Sequence, residues 1–544
     1  MTWGLGKIIR SDRFIVCSLL LLAIALYLSG IGDLALRDWD EGIVAGVARN
    51  IWRGFPDGDT WLYPTINYDD PYWNKPPLVH CLVAFSYSLF GISEWSTRLF
   101  PALLSAFTIP LVYEIGREIF NSRLPAVFSA LVYLTLLPVT RHGRVAMLDG
   151  AINLWFCLAV WCLLKGRKDR RWLLGMGVGI GAICLTKGIM MGVLLGGIII
   201  IFLLWDNPKL LLSPYLWTSL ILGVAPAVSW YVLQYLRYGS EFLGISLGKQ
   251  TFNRIWEPVS NRSQPPWYYC LEIAKYSLPW LIFLPYSIKL AFKTIFPSPS
   301  PPVPKSSSLP VSQSGAKLTL TWCVVYLLAT SLMATKLPWY IMPIYPGLSL
   351  LIGNGLAIAW QEKIYPLSWK IAFSSLAVIC WITCLYLGLS GQIQLDLALI
   401  ISFIALTFTI AAIILFISSH NFIPVTIGGF YLALLFFFNS PHWLWELNEA
   451  FPVKPLAVQI QEHIPYGENI YASYPNLRPS LEFYSDRVII PATDEQLQQI
   501  WKQERPVYLL LDSDAINCLN FEKYVKARSR VNDTGWQIFT RDNQ

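Results

Sequence analysis

Residues 75–90 read KPPLVHCLVAFSYSLF, and the way this stretch meets a membrane decides the fold of everything that follows it. Its apolar part, residues 78–90, would span about 20 Å as a helix, short of the roughly 30 Å hydrocarbon core of a bilayer. An interfacial helix is therefore expected, entered through the rigid pair Pro76-Pro77. Reading it as a crossing segment instead would invert every later loop. The distribution of positive charge supports the first reading. With 78–90 in the interface, Arg117, Arg123, Lys165, Arg167, Lys168, Arg170, Arg171, Lys209, Lys289, Lys293, Lys363 and Lys370 fall on one side, together with the basic N-terminus. That side is predicted to be cytoplasmic.

Composition agrees with a polytopic membrane protein. Of 544 residues, 55% are hydrophobic, 15% aromatic and 14% charged, with a mean hydropathy of +0.47. Soluble domains carry about 25% charged residues, and disordered chains are poor in aromatics, so both classes are excluded. Thirteen spans are expected, at 14–32, 96–116, 124–140, 147–164, 172–187, 189–205, 214–236, 271–296, 317–334, 338–356, 369–389, 394–417 and 422–438. The first has basic flanks like a signal peptide but lacks a small-residue cleavage site, so it reads as an uncleaved span. An odd number of spans puts the termini on opposite sides, with the N-terminus cytoplasmic in a plasma (inner) membrane. Most cysteines lie inside apolar runs, without metal-like spacing.

The net charge of +7 conceals a division. From residue 439 on the chain is −4, and before it +11. Two domains are expected: a transmembrane domain over 1–439, with a functional outer loop at 33–95 and a Pro/Ser-rich cytoplasmic linker at 297–315, and an extracytoplasmic α/β domain over 440–544. In the tail, helices are predicted at 454–463 and 494–503, and strands at 469–474, 487–490, 507–512 and 536–540.

The polar residues that could carry chemistry gather in the outer loops. Asp40 and Glu41 open an amphipathic helical run, where N-terminal carboxylates favoured by the helix dipole are the bland alternative to catalysis. The aromatic stretch holding Tyr72 is suited to the headgroup level. Lys75, fixed by the prolines after it, could meet a lipid phosphate or snorkel to the interface. Arg141, Arg144 and Asp149 lie close in sequence, and Asp149 at a span end calls for a partner or a role. Lys187 and Lys336 occupy outer loops too short to be solvated domains. Several cations converging on one face would suit an anionic headgroup.

These stretches together resemble a known family. In order along about residues 33–350, the chain carries the acid pair, then YWNKPPLVHCLVAFSYSLFGISEWSTRLFPAL, RVAMLD, LTKG, QPPWYY and TKLPWYIMPIYP. The succession is similar to the GT-C membrane glycosyltransferases, with the bacterial branch of 4-amino-4-deoxy-L-arabinose lipid A transferases as the nearest likeness and protein O-mannosyltransferases as relatives. The resemblance implies an all-α polytopic GT-C fold with two interfacial helices in the first outer loop. It also implies a polyprenyl-phosphate-linked sugar donor and a lipid, glycan or protein acceptor. It assigns Asp40 to the catalytic position with Glu41 beside it, Tyr72 and Lys75 to the donor region, and Asp149 to the cavity wall. Arg254 falls near a donor-phosphate arginine, and Tyr340 matches the tyrosine of the KLPWY block. Some arabinose transferases hold a metal between a Glu just before the KPP lysine and a later His. Those places are Asn74 and Lys249 here, so no metal and no cofactor is expected, and the arabinose and lipid A assignment is weakened.

The expected chemistry is a direct, inverting transfer. Lys75 and Arg254, aided by Arg141 or Arg144, would offset the charge of the departing phosphate, while Asp40 takes or orients the acceptor proton. Lys187, Lys336, Tyr340 and Asp149 would line the cavity. Asp38-Trp39-Asp40 imitates a nucleotide-sugar motif, but no nucleotide-binding domain precedes it. A transporter or flippase would place ionisable groups near span centres, where acids are nearly absent. A non-catalytic envelope protein using its tail as a binding module is the third reading. The basic residues report topology, not nucleic acid.

Overall fold

Helix is what a membrane demands of these apolar runs, because no water is there to satisfy exposed backbone groups. The computed structural model describes residues 11–56, 58–67, 70–120, 122–258, 264–297, 312–389, 395–444, 453–473, 478–502, 506–512, 514–516, 527–530 and 536–541. Most of the 297–315 linker lies outside the described residues. Every one of the thirteen apolar runs carries helix. Among the described residues, seven helices are long and apolar enough to cross a membrane, or eight if the bent pair Arg123–Thr135 and Leu137–Arg144 counts as one. This count takes only helices of 18 residues or more, and the 17-residue helices Asp12–Leu28, Asp149–Lys165 and Phe422–Phe438 fall just short of it, so the number thirteen is not established. The run at 271–296 is broken: Tyr268–Tyr276 ends before Pro279, a 3₁₀ turn Trp280–Phe283 follows, and Leu284–Ile295 resumes. Proline removes a backbone donor and clashes with the preceding turn, which explains the interruption. Leu78–Phe90 is a separate helix of 13 residues, as its length requires.

The chain divides into two compact units. One comprises residues 1–31, 73–79 and 99–443; the other comprises 32–72, 80–98 and 444–544. Most of the first outer loop, all but 73–79, thus groups with the tail, which a boundary drawn at 439 did not foresee.

In the first unit, small residues bring helices close together, as they do where lipid removes the hydrophobic drive between spans. Leu173–Lys187 packs on Pro214–Leu243 through Gly181 and Gly223. A Cβ on Gly181 would stand 1.7 Å from the Gly223 carbonyl oxygen. Arg144 ties the unit together at one end, donating to the carbonyls of Leu26 (2.5 Å), Tyr27 and Ser29 at the end of Asp12–Leu28. Its guanidinium also lies 4.3 Å from the Phe438 ring centroid.

In the second unit, β1 (Thr65–Ile66) and β2 (Asp70–Pro71) form a short antiparallel pair. The tail strands are β3 (Asn469–Ala472), β4 (Val488–Pro491), β5 (Val507–Leu511), β6 (Ala527–Arg530) and β7 (Gln537–Arg541). Their order is β4-β3-β5-β7-β6. β3 runs parallel to β4 and β5, and β7 is antiparallel to β5 and β6. Side chains alternate across a strand, so Tyr508 and Leu510 face one core with Leu456 and Ile460 of the helix Val453–His463. Val507, Leu509 and Leu511 face the other, against Leu497 and Trp501 of Asp494–Trp501. The small α/β tail expected from sequence is present, with β6 and the helix Pro479–Ser485 as additions.

Glu482, on Pro479–Ser485, offers a test of this unit. Burial raises its carboxyl to about 7, with Arg49 acting in the opposite sense and Asp70 and Asp38 adding to the rise. The native state therefore holds a proton that the unfolded chain has already lost at neutral pH, so stability falls as pH rises from the ordinary glutamate range toward and through 7. Glu482→Gln is expected to raise the melting temperature of the purified chain at pH 8 and leave it nearly unchanged at pH 5, as read by differential scanning fluorimetry.

Candidate active site

Lys75 enters through a segment with little freedom, Asn74-Lys75-Pro76-Pro77. Asn74 Oδ1 accepts a hydrogen bond from the Gln250 amide at 3.0 Å, and the Trp73 ring meets Tyr238 edge-on at 5.3 Å. Gln250 lies in a π-helical stretch, Gly244–Phe252, that continues Pro214–Leu243; such irregular turns free backbone and side chains from the regular ladder. The next turn, Asn253–Trp256, carries Arg254, whose Nη1 donates to the Tyr340 hydroxyl at 2.6 Å. Tyr340 is held in turn by the Tyr326 hydroxyl, which donates to its carbonyl at 2.6 Å.

Lys187 closes the set from the end of Leu173–Lys187. Gly188, at φ 105° and ψ 169°, lets the chain reverse directly into Ile189–Asp206, a conformation that residues with a Cβ rarely adopt. The ammonium of Lys187 donates to Asp149 Oδ1 at 2.5 Å and lies 5.0 Å from the Tyr340 ring centroid. Asp149 sits at the start of Asp149–Lys165 and is only 4% exposed.

Several of these groups line a cavity of about 290 Å³, while Asp149, expected on its wall, is not among the lining residues and is buried as the partner of Lys187. Lys75, Lys187, Arg254, Gln250, Thr251 and Tyr340 supply its polar side, and Met190, Met191, Val193, Leu194, Ile255, Ala329 and Met333 its apolar side. The Lys75 side chain is half-buried. Packing around its ammonium, reinforced by the cations of Arg254 and Lys187, pushes it well below the usual lysine range. Three cations against one buried carboxylate leave a local excess of positive charge. An anion is the ligand that would relieve it, and the apolar wall suits a hydrocarbon attached to that anion.

The remaining candidates stand elsewhere. Arg141 Nε donates to the Trp443 carbonyl at 2.8 Å, and Arg144 is engaged by carbonyls as described. Both bind backbone and do not line this cavity. Lys336 donates to the Met333 carbonyl, capping the end of Gln313–Leu332. Tyr72 is buried in the loop–tail unit, where its ring meets His80 edge-on at 5.4 Å. Asp40 and Glu41 also belong to that unit, on the first turn of Asp40–Gly54. Asp40 is half-buried. Glu41 is fully buried, with Oε1 and Oε2 each accepting from Arg98 at 2.7 Å and Oε2 also accepting from the Arg37 backbone N–H at 3.0 Å. Glu41 is thus a scaffold group rather than one open to an acceptor. Asp38 accepts from Arg478 and Ser480, so Asp38-Trp39-Asp40 is not an open pair of carboxylates.

Arg98, Gln250 and Tyr326 were not singled out by sequence reading. Arg98 could have been, because an arginine next to an apolar run requires a buried partner. Gln250 and Tyr326 carry no such mark. Among the described residues, no group of three His, Cys, Asp or Glu side chains stands close enough to hold a metal ion.

The chain is similar to several known proteins. Residues 74–232 match the family model described as dolichyl-phosphate-mannose-protein mannosyltransferase. An uncharacterized protein of Aquifex aeolicus is 26% identical over 521 residues, 94% of each chain. An undecaprenyl phosphate-alpha-4-amino-4-deoxy-L-arabinose arabinosyl transferase of Pseudomonas fluorescens is 26% identical over 291 residues, 52% of this chain and 47% of that protein. The match thus spans about half the length of that curated relative. The crystal structure of ArnT from Cupriavidus metallidurans bound to undecaprenyl phosphate superposes with a TM-score of 0.77 at 19% identity, covering 96% of this chain and 97% of that one. At that identity the likeness establishes the fold.

The Asp149–Lys187 pair gives the site a stability signature. Removing one partner of a buried pair leaves an uncompensated charge, worth about 3–5 kcal/mol. Asp149→Leu is expected to lower the melting temperature of the detergent-purified chain strongly, and the double variant Asp149→Leu/Lys187→Met to recover most of that loss. Equal melting temperatures for the single variant and the parent would show that the pair is not a buried, mutually dependent one.

Proposed function

We infer that this chain, a GT-C membrane glycosyltransferase by its motifs, its relatives and its fold, transfers a sugar from a polyprenyl-phosphate carrier to an acceptor on the non-cytoplasmic face of the inner membrane. The observation that carries the reading is the cavity in which Lys75, Lys187 and Arg254 meet beside an apolar wall. A polyprenyl phosphate has both halves of that chemistry: an anionic head for the cations and a hydrocarbon tail for Met190, Met191, Leu194 and Met333. The excess of Lys and Arg in alternate loops supports an N-terminus in the cytoplasm and a tail outside.

The reaction asks for one bond to form and one to break. The acceptor oxygen attacks the anomeric carbon from the face opposite the carrier, and the C–O bond to the phosphate breaks, inverting that centre. The phosphate leaves with the bonding electron pair, and Lys75, Lys187 and Arg254 offset the charge it gains. Tyr340, whose oxygen already accepts from Arg254, has its own O–H to donate to the same anion. Asp40 takes the acceptor's proton, and Glu41 serves by holding the helix that carries it. Charge compensation by side-chain cations makes this a metal-independent reading. Where the resemblance would put a metal-binding Glu, Asn74 instead bonds to Gln250. The sugar is a pentose or a hexose, and the acceptor a lipid, a glycan or a protein.

The test is transfer of radiolabelled sugar from a lipid-linked donor in reconstituted vesicles, with envelope lipids and glycans compared by mass spectrometry with and without the protein. Asp40→Asn is expected to slow transfer about 10²- to 10⁴-fold with donor binding retained; near-normal transfer would sink the assignment. Arg254→Ala should weaken binding of the polyprenyl phosphate by about 1.5–3 kcal/mol, the worth of a hydrogen bond to a charged group, read by displacement of a labelled lipid phosphate. A third expectation concerns pH. An anionic head favours protonated Lys75, whose proton affinity is depressed, so donor affinity should fall as pH rises, and Lys75→Arg, which keeps its charge, should flatten that dependence.

A further inference from the structure

We propose that the tail is a positioning element for transfer, with Arg478 and the helix Pro479–Ser485 fixing the segment that presents Asp40. This rests on the reading of Asp40 as the group that takes the acceptor's proton, and it gives the α/β tail a part in the reaction.

The contacts lie wholly within the loop–tail unit and converge on the N-terminus of Asp40–Gly54. Asp38, two residues before Asp40, is 3% exposed. Its Oδ2 accepts from Arg478 Nη1 at 2.9 Å. Its Oδ1 accepts from the Ser480 backbone N–H at 3.2 Å and from the Ser480 hydroxyl at 2.7 Å. A buried carboxylate with three donors, one of them charged, sits in a fixed place, because any movement abandons charge-assisted bonds in a low-dielectric setting.

The helix itself is shaped to receive the tail. Gly42, Gly46, Arg49 and Arg53 recur at spacings of four, three and four, which puts them on one face. A Cβ on Gly42 would stand 2.5 Å from the Ser480 nitrogen and 2.9 Å from the Pro479 carbonyl carbon, so the two backbones touch there. One turn and more along, Arg49 Nη1 donates to the Phe483 carbonyl at 2.8 Å and pairs with Asp486 at 3.1 Å. Arg53 reaches the other Asp486 oxygen at 2.8 Å. The Tyr484 hydroxyl accepts from the Leu36 backbone N–H at 2.8 Å and donates to Glu94 at 2.9 Å.

Asp40 is therefore bracketed. On one side Asp38 is held by the tail, and on the other Glu41 is held by Arg98. A catalytic carboxylate misplaced by about 1 Å can cost roughly 10²-fold in rate. The cavity residues Lys75, Lys187 and Arg254 all belong to the other unit. A defect in the tail contact should consequently appear in the rate of transfer and not in the hold on the donor.

The experiment uses the full-length protein in vesicles with a lipid-linked sugar donor. Arg478→Ala is expected to lower kcat 10- to 100-fold, while donor KM and the binding of labelled polyprenyl phosphate stay within twofold. Arg478→Lys, which keeps a charged donor, should recover part of the rate, and Ser480→Ala should give a smaller loss of the same kind. In an Asp40→Asn background, Arg478→Ala should add no further loss, because it acts through Asp40. Unchanged kcat, a parallel fall in donor binding and melting temperature, or an additive loss on Asp40→Asn would each overturn the tail's role while leaving the catalytic reading in place. Normal transfer by Asp40→Asn itself would overturn that reading, and this proposal with it.

Discussion

Glu41 and Arg98, both fully buried, share two hydrogen bonds of 2.7 Å, and the loop–tail unit depends on that pair. Arg98 also donates to the carbonyls of Leu34 (2.7 Å) and Ala35 (2.9 Å), while Glu41 accepts from the backbone of Arg37. One ion pair thus fixes the turn before Asp40–Gly54, the helix's first residues and the start of Glu94–Ile119. Neither charge is tolerable there alone, since removing one partner of a buried pair costs about 3–5 kcal/mol. The geometry around Asp40 follows from this requirement together with the parallel one met by Asp38, Arg478 and Ser480.

The cavity in the other unit works by a different balance. Asp149 answers Lys187, and Tyr340 answers Arg254 through its hydroxyl oxygen. The positive charge left over is a standing demand for an anion. Apolar side chains beside the same cations favour an anion attached to hydrocarbon over a freely soluble one.

Much of this was legible in the sequence because it depends on local pattern. Long apolar runs specify helices, 13 residues cannot span a bilayer core, and the short continuous apolar run VYLLL is a strand, buried on both faces. Lys75, Lys187, Arg254 and Tyr340, picked from separate motifs, meet in one cavity. Other features were hidden. The break at Pro279 interrupts a run that hydropathy alone joins, and β6, AlaArgSerArg, has too few apolar residues to look like a strand. The grouping of 32–72 with the tail rests on contacts between Asp38 and Arg478, 440 residues apart, which no local signal reports.

The sequence by itself determined which residues could be charged and where the chain had to be helical, since hydropathy and turn chemistry act over a few residues. Only the tertiary structure decided how the charges are used. Glu41 becomes a scaffold because Arg98, 57 residues away, reaches it; Arg144 binds carbonyls at a helix end; and Lys187 stays in the cavity with Asp149, 38 residues distant, as its partner. The physical reason is that a charge removed from water must be matched by whatever the fold brings within about 3 Å, and proximity across the chain is a property of the fold alone.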